Sequence, residues 1–184
     1  MTAAVSRTPT VATARVAPAL AGAARVALGV LWLHEGIVKY RAGFGATDID
    51  FVVDGAASNP RVPGFFQTFA ESTLGAAPGL FGVLMPLLET LLGVALVLGV
   101  LIVPAAWASV VALATYWLAD LLVWQYPAMV LLSAVVLAFP AAAAAWSVPA
   151  TRTVLASRRR AQAQCPHAHR PPRVQASAAR PDDG

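Results

Sequence analysis

The chain has 184 residues, 58% of them hydrophobic and only 12% charged, with a mean hydropathy of +0.67. A water-soluble domain cannot bury that much apolar surface behind so few charges, so the composition points to a bilayer as solvent. The net charge of +4 sits at the chain ends and not on an aromatic-interleaved patch, which argues against nucleic acid, and the single cysteine, Cys165, excludes a disulfide framework, a CxxC redox pair and a cysteine-ligated iron–sulfur cluster.

Residues 1–16 read as a cytoplasmic N-terminal segment carrying Arg7 and Arg15. The apolar run that follows is too long for a signal peptide and contains Arg25, His34 and Glu35, so it reads as a retained first helix. Crossing about 30 Å of hydrocarbon takes roughly 20 apolar residues. Four segments qualify, about Ala17–Tyr40, Leu80–Val103, Ala105–Trp124 and Ala128–Trp146, and no strand pattern competes. The fold class expected is therefore an all-α membrane protein, a four-transmembrane-helix bundle over residues 17–150. Pro104 and Pro127 fall at or near helix starts, where the missing N–H costs little, and predict tight antiparallel hairpins. Pro86 and Pro140 fall inside helices, where each deprives a carbonyl of its donor and predicts a bend.

The connection from Arg41 to Gly79 is long, and long connections are either functional or disordered. Val62, Phe65, Phe66 and Phe69 share one helical face just after Pro63-Gly64, which predicts a short interfacial helix, either an anchor or a lid over an outer cavity. From about Ser157 the chain is Arg, Ala, Gln and Pro without apolar periodicity, so residues 151–184 read as a disordered basic cytoplasmic tail. Arginine precedes the first helix and crowds after the fourth, while Arg41 and Arg61 in the long connection are balanced by acids. That distribution predicts both termini cytoplasmic and a multi-pass protein of the plasma membrane. Trp32, Trp107, Trp117, Trp124 and Trp146 read as interfacial anchors.

Charges inside membrane spans are expensive and point to function by default. Arg25, alone near the inner end of helix one, is most simply a snorkelling topology residue. Glu35 and Lys39 are spaced i, i+4 in the favourable order, and His34 lies roughly 100° around the helix from Glu35. Each reads equally as an interfacial group or as part of a site. Glu89 lies roughly 14 Å deep at 1.5 Å per residue, and shares a face with Gly82, Pro86 and Gly93, which turns it toward the bundle. At that depth it must pair, take a proton or hydrogen-bond a ligand. Tyr116 and Asp120 are again i, i+4, a hydroxyl and a carboxylate on one stripe at the outer level, with Gln125 and Tyr126 just beyond. Bis-histidine haem would need a second intramembrane histidine, and no nucleotide or zinc-protease motif is present. Cys165, His167 and His169 are metal-ligand types in a tail with nothing to hold them.

Ala24-Arg25-Val26-Ala27-Leu28-Gly29 with Gly36-Ile37-Val38-Lys39-Tyr40, the Pro63-Gly64-Phe65-Phe66 loop, and Glu89-Thr90-Leu91-Leu92-Gly93 through Leu98-Gly99 make the chain resemble the DoxX/DoxD-like family of small four-helix membrane proteins over about Ala24 to Pro140. The resemblance implies that Glu89 and Lys39 are recurring polar residues of the family; His34-Glu35 departs from the pattern and borrows no role from it. It also implies quinone-linked oxidoreduction, as the membrane subunit of a redox complex. A quinone pocket in the outer half of the bundle would take Glu89, Asp120, His34 and Glu35 as proton-handling groups and Tyr116, Lys39 and Glu89 as ligand contacts. The chain has no recognisable redox cofactor site of its own, so electrons would come from a soluble or membrane partner subunit or from a substrate delivered to the quinone. A small proton-coupled carrier or channel, and a membrane assembly scaffold, are the alternatives.

Overall fold

A computed structural model describes residues 11–121, 123–145 and 147–148, with side chains from residue 18 onward. Every regular element among the described residues is helical. These are α1 (Val11–Ala42), α2 (Ala46–Ser58), α3 (Gly64–Phe69) running into a π-helical turn (Ala70–Leu74), α4 (Pro78–Leu98), α5 (Ile102–Leu118), α6 (Tyr126–Ala138) and α7 (Pro140–Ala143). Two helical stretches, Pro18–Ala42 and Pro78–Leu98, are long and apolar enough to cross a membrane, whereas α5 and α6 are shorter apolar helices of 17 and 13 residues. The proposed tail over 151–184, with Cys165, His167 and His169, and the expected anchor Trp146 lie outside the described residues.

The helix ends differ from those expected, and one backbone device explains most of the difference. α1, α4 and α5 each finish with a residue in the left-handed region, Gly43 (φ 71°), Gly99 (φ 70°) and Asp120 (φ 58°). In each, the following N–H reaches back five residues, Phe44 to Lys39 O at 3.0 Å, Val100 to Ala95 O at 2.9 Å and Leu121 to Tyr116 O at 2.9 Å, closing the same C-terminal motif. α4 therefore stops at Leu98 and not Val103, and α5 at Leu118 and not Trp124. α1 already runs from Val11, so the boundary expected at residue 17 falls inside it. Pro104 does sit in the first turn of α5, and Pro127 in that of α6. α4 is continuous through Pro86, but Pro140 breaks the fourth segment outright, α6 ending at Ala138 and α7 starting at Pro140.

α1 and α4 form the closest pair, because glycines meet there. A methyl built on Gly93 would stand 2.7 Å from the Leu33 backbone nitrogen and 2.8 Å from Gly29 O. Gly82, Pro86, Glu89 and Gly93 are all buried, so the small-residue face of α4 is the one turned inward. Around this pair, Leu28, Trp32, Leu92, Leu96, Leu113, Tyr116 and Met129 make the central core. Trp32 is fully buried and donates from Nε1 to Ser109 Oγ at 2.9 Å, which removes it from the expected interfacial anchors; Trp107, Trp117 and Trp124 are exposed.

The long connection is built of more than one short helix. α2 escapes a reading by composition because of its Thr, Asp and Gly, yet Ile49, Val52, Val53 and Ala56 keep the i, i+3, i+4, i+7 spacing, and the Asp48 carboxylate accepts the Gly45 N–H at 2.8 Å. With α3 and the π turn it forms a cap having its own core of Ile49, Ala56, Val62, Phe66, Ala70 and Leu74. The aromatic face is divided: Val62 and Phe66 point inward, while Phe65 and Phe69 are exposed. Gly82 of α4 lets the cap approach, since a methyl there would come within 2.9 Å of Ala46 N.

Candidate functional site

α1 places Glu35 and Lys39 one turn apart, and α4 lays Glu89 against them. Lys39 Nζ lies 2.6 Å from Glu89 Oε1 and 3.3 Å from Glu35 Oε2, so one ammonium holds two carboxylates. α5 contributes Tyr116, whose hydroxyl donates to Glu89 Oε1 at 2.5 Å. The start of α6 contributes Gln125, which donates from Nε2 to Glu35 Oε1, and Tyr126, whose hydroxyl lies 3.4 Å from Glu35 Oε2. The Tyr116 and Tyr126 rings stack with centroids 5.4 Å apart, and Lys39 Nζ stands 5.6 Å from the Tyr116 centroid and 5.9 Å from that of Phe44. The Phe44 position follows from the turn that ends α1.

Glu89 is completely buried, and its Oε2 has no hydrogen-bond partner. A buried carboxylate with one oxygen held by Lys39 and Tyr116 and the other left over is an acceptor, or a proton carrier, waiting for a further partner.

Six side chains from four helices thus converge, among them four of the sequence candidates: Glu35, Lys39, Glu89 and Tyr116. The other two candidates stand elsewhere. His34 is exposed and is not among the hydrogen bonds and ion pairs that build the cluster. Asp120 leaves the stripe of Tyr116 because α5 has already ended and its own φ is positive. Its carboxylate accepts from Asn59 Nδ2 at 2.7 Å and pairs with Arg61, tying the cap to the end of α5. These hydrogen bonds hold the Asp120 carboxyl below its ordinary pKa. Gln125 and Tyr126, placed by the sequence just beyond Asp120 but given no role, join the cluster through Glu35.

Arg25 corrects a further expectation. It is fully buried and does not snorkel: its Nη1 donates to Leu96 O at 2.6 Å and to Val97 O at 3.3 Å, placing a cation on the carbonyl end of α4. Among the described residues no group of three or more metal-ligand side chains gathers.

Two hollows adjoin the cluster. Under the cap is a cavity of about 80 Å³ lined by Lys39, Tyr116 and Tyr126 on one side and by apolar cap residues on the other. Between α5 and α6 runs an apolar groove of about 700 Å³, lined by Leu113, Trp117, Trp124, Tyr126, Val130 and Leu131 among others. Tyr126 borders both.

No family model matches the chain, and no curated protein or solved structure matches it. The likeness to DoxX/DoxD-like proteins therefore rests on the quoted motifs alone.

Proposed function

We propose that this chain is a four-span protein of the plasma membrane with both termini cytoplasmic, and that it serves a redox complex as a DoxX-like, quinone-binding membrane subunit. Its polarity supports the membrane reading: Arg25, Glu89, Ser109 and Ser133 are buried, while Leu91, Val111 and Leu131 are 57%, 62% and 68% exposed. Water would reverse that arrangement; lipid favours it. In this reading α5, about 25 Å long at 1.5 Å per residue, is the third span, and α6 continued past its break by α7 is the fourth. The cap lies on the outer side, its exposed Phe65 and Phe69 in the interface.

The observation that carries the quinone reading is the sharing of Tyr126 between an apolar groove and the buried cluster of carboxylates, lysine and tyrosines. The cavity of about 80 Å³ is too small for a quinone ring, whereas the groove of about 700 Å³ falls within the range of pockets that bury such ligands. Trp117 and Trp124 offer aromatic faces to a ring and Val130 and Leu131 an apolar wall to a tail, and Tyr126 and Gln125 are the hydroxyl and amide at the cluster's edge. A bound quinone supplies a couple of two electrons and two protons. The chain's part is to bind the ring, exclude water from it and hold protons on Tyr126, Glu35, Tyr116 and Glu89; the electrons come from a partner subunit. A proton-coupled carrier is the second reading, favoured by Lys39 standing between two carboxylates.

Lipid extraction of the purified protein followed by mass spectrometry tests the first reading, with quinone expected at near-stoichiometric amounts. Its absence, together with proton-coupled flux in proteoliposomes, would replace the subunit by the carrier. Topology is tested separately. With Cys165 removed, a cysteine at Ser58 should label in intact cells with an impermeant thiol reagent, and labelling at Ser177 instead would invert the arrangement.

A further inference from the structure

We infer that the face of α1 turned away from the bundle is an interface with a second copy of this chain, in which the two His34 imidazoles hydrogen-bond to each other within the membrane. The inference rests on α1 spanning the bilayer and is independent of quinone being the ligand.

α1 packs against α4, α6 and α7, and its remaining face is open. Along that face Leu20, Ala23, Ala27, Val30, His34 and Ile37 are all exposed, and their alternating spacing of three and four residues makes a straight seam along which a second helix can run. Five of the six are apolar, as lipid would allow; His34 is not. Exposed Tyr40 and Arg41 mark the outer end of the span, and Arg41 is seven residues beyond His34, about 10 Å at 1.5 Å per residue. An imidazole cannot reach back over that distance as a lysine or arginine side chain can. No hydrogen bond or ion pair joins His34 to another described residue. An ionisable group left so in hydrocarbon is costly, and such groups face protein or water for that reason. A helix laid along the seam supplies the protein.

The occupant follows from depth. His34 needs a hydrogen-bonding group at its own level, and a second copy brings one by symmetry: inserted in the same direction, its α1 runs parallel and its His34 stands at the same height. A neutral imidazole carries one N–H and one bare nitrogen, so one ring donates to the other. Ala27 and Ala23, two and three turns further in, are small enough to let the two backbones approach. A single polar residue in an otherwise apolar seam also fixes the register of the pair. Arg41 continues the seam into water, where two like charges are screened.

Cross-linking in native membranes tests the face. In the full-length protein carrying Cys165→Ser, Ala27→Cys, Val30→Cys and Ile37→Cys should each form disulfide-linked homodimers under copper phenanthroline. Leu91→Cys on α4 and Val111→Cys on α5, also exposed, should not. Linking from all five positions alike, from none, or only to a different protein overturns the interface between copies. Energy transfer between two fluorophore-labelled populations, diluted with lipid in liposomes, tests the histidine. His34→Leu should weaken dimerisation about 3- to 30-fold, the range of interhelical hydrogen bonds in membranes, and His34→Asn, which keeps a donor and an acceptor, should recover part of the loss. Because the side chain is exposed, both variants should keep the native helix content. A leucine variant that dimerises as tightly as the native chain, or an asparagine variant no tighter than leucine, overturns the histidine pair. Resistance to an alkaline carbonate wash reads the membrane span by itself: a chain that stays in the membrane without cross-linking loses the dimer and keeps the span.

Discussion

Lys39 and Glu89, fifty residues apart in sequence, lie with Nζ and Oε1 2.6 Å apart, and this contact ties α1 to α4. Glu89 is completely buried while Lys39 is 18% exposed, and it is the buried carboxylate that makes the pair costly to break by halves. Lys39→Met strands the carboxylate and Glu89→Gln strands the ammonium beside Glu35 alone. Each is expected to cost about 3–5 kcal/mol if the charge stays, whereas the double variant should recover much of that loss. Thermal unfolding in detergent measures all three. A double variant no more stable than the worse single one would show that the two residues do not act as a pair.

Arg25 gives a second prediction, opposed to what a snorkelling residue would do. Its guanidinium serves the Leu96 and Val97 carbonyls, so Arg25→Met should lower stability by about 1.5–3 kcal/mol while Arg25→Lys retains part of it. Melting temperatures unchanged in both variants would contradict the buried hydrogen bonds of Arg25 and favour a snorkelling side chain.

The i, i+4 spacing of Glu35 and Lys39 and the glycine–proline face behind Glu89 were legible in the sequence because helical periodicity alone decides them. What periodicity could not decide was where each helix stops. Gly99 and Asp120 end α4 and α5 early by adopting positive φ, and aspartate does this less often than glycine, so the Tyr116–Asp120 stripe was read through a helix end. The divided Val62–Phe69 face depended on a cap whose other half, α2, was hidden by its polar residues although Ile49, Val52, Val53 and Ala56 kept the helical repeat. Arg25 was misplaced because hydropathy counts a charge but not the open carbonyls at the end of a neighbouring helix. Gln125 and Tyr126 were legible as polar groups just beyond Tyr116 and Asp120, but their contact with Glu35, about ninety residues away, belongs to the tertiary fold.

Glycines separate close packing from mere composition. Gly93→Ala would press a methyl against Leu33 N and Gly29 O, forcing α1 and α4 apart at about 1–3 kcal/mol. Gly55, inside α2, has nothing within 4 Å of such a methyl, so Gly55→Ala should raise stability by about 0.4–1 kcal/mol. The two melting temperatures should move in opposite directions, and a shared sign would contradict the α1–α4 contact.

Asp120 has two roles that substitution can separate. Its carboxylate latches the cap through Asn59 and Arg61, and its backbone holds a φ of 58°. Asp120→Gly should ease the backbone yet free the cap, and Asp120→Asn should keep the backbone and weaken the latch. Amide exchange in α2 should accelerate in both, more in the glycine variant. Because the folded carboxyl titrates below its unfolded value of about 3.9, the latch contributes fully above that pH and is lost as pH falls through the folded value. Exchange in α2 of the native chain should therefore be flat from pH 7 to 5, after correction for intrinsic chemistry, and rise only at more acid pH. A rise already near pH 6 would mean that another group holds the cap.

The two tyrosines of the cluster provide the last prediction, because their hydrogen bonds differ while their rings stack together. Tyr116 donates to buried Glu89 Oε1 at 2.5 Å, and removing a donor to a buried carboxylate costs about 1.5–3 kcal/mol, so Tyr116→Phe should destabilise the fold. Tyr126 stands 3.4 Å from Glu35 Oε2, at the limit of a hydrogen bond, and Gln125 still serves that carboxylate. Tyr126→Phe should therefore leave the melting temperature close to that of the native chain. On the proposed quinone reading it should nevertheless lose most of any co-purified quinone, because Tyr126 is the hydroxyl at which the apolar groove meets the cluster. Measuring stability and quinone content on the same samples keeps the two effects apart. If Tyr126→Phe retains quinone while Tyr116→Phe loses it at equal folded fraction, the ligand reaches the cluster from the Glu89 side and the groove is a packing feature between α5 and α6.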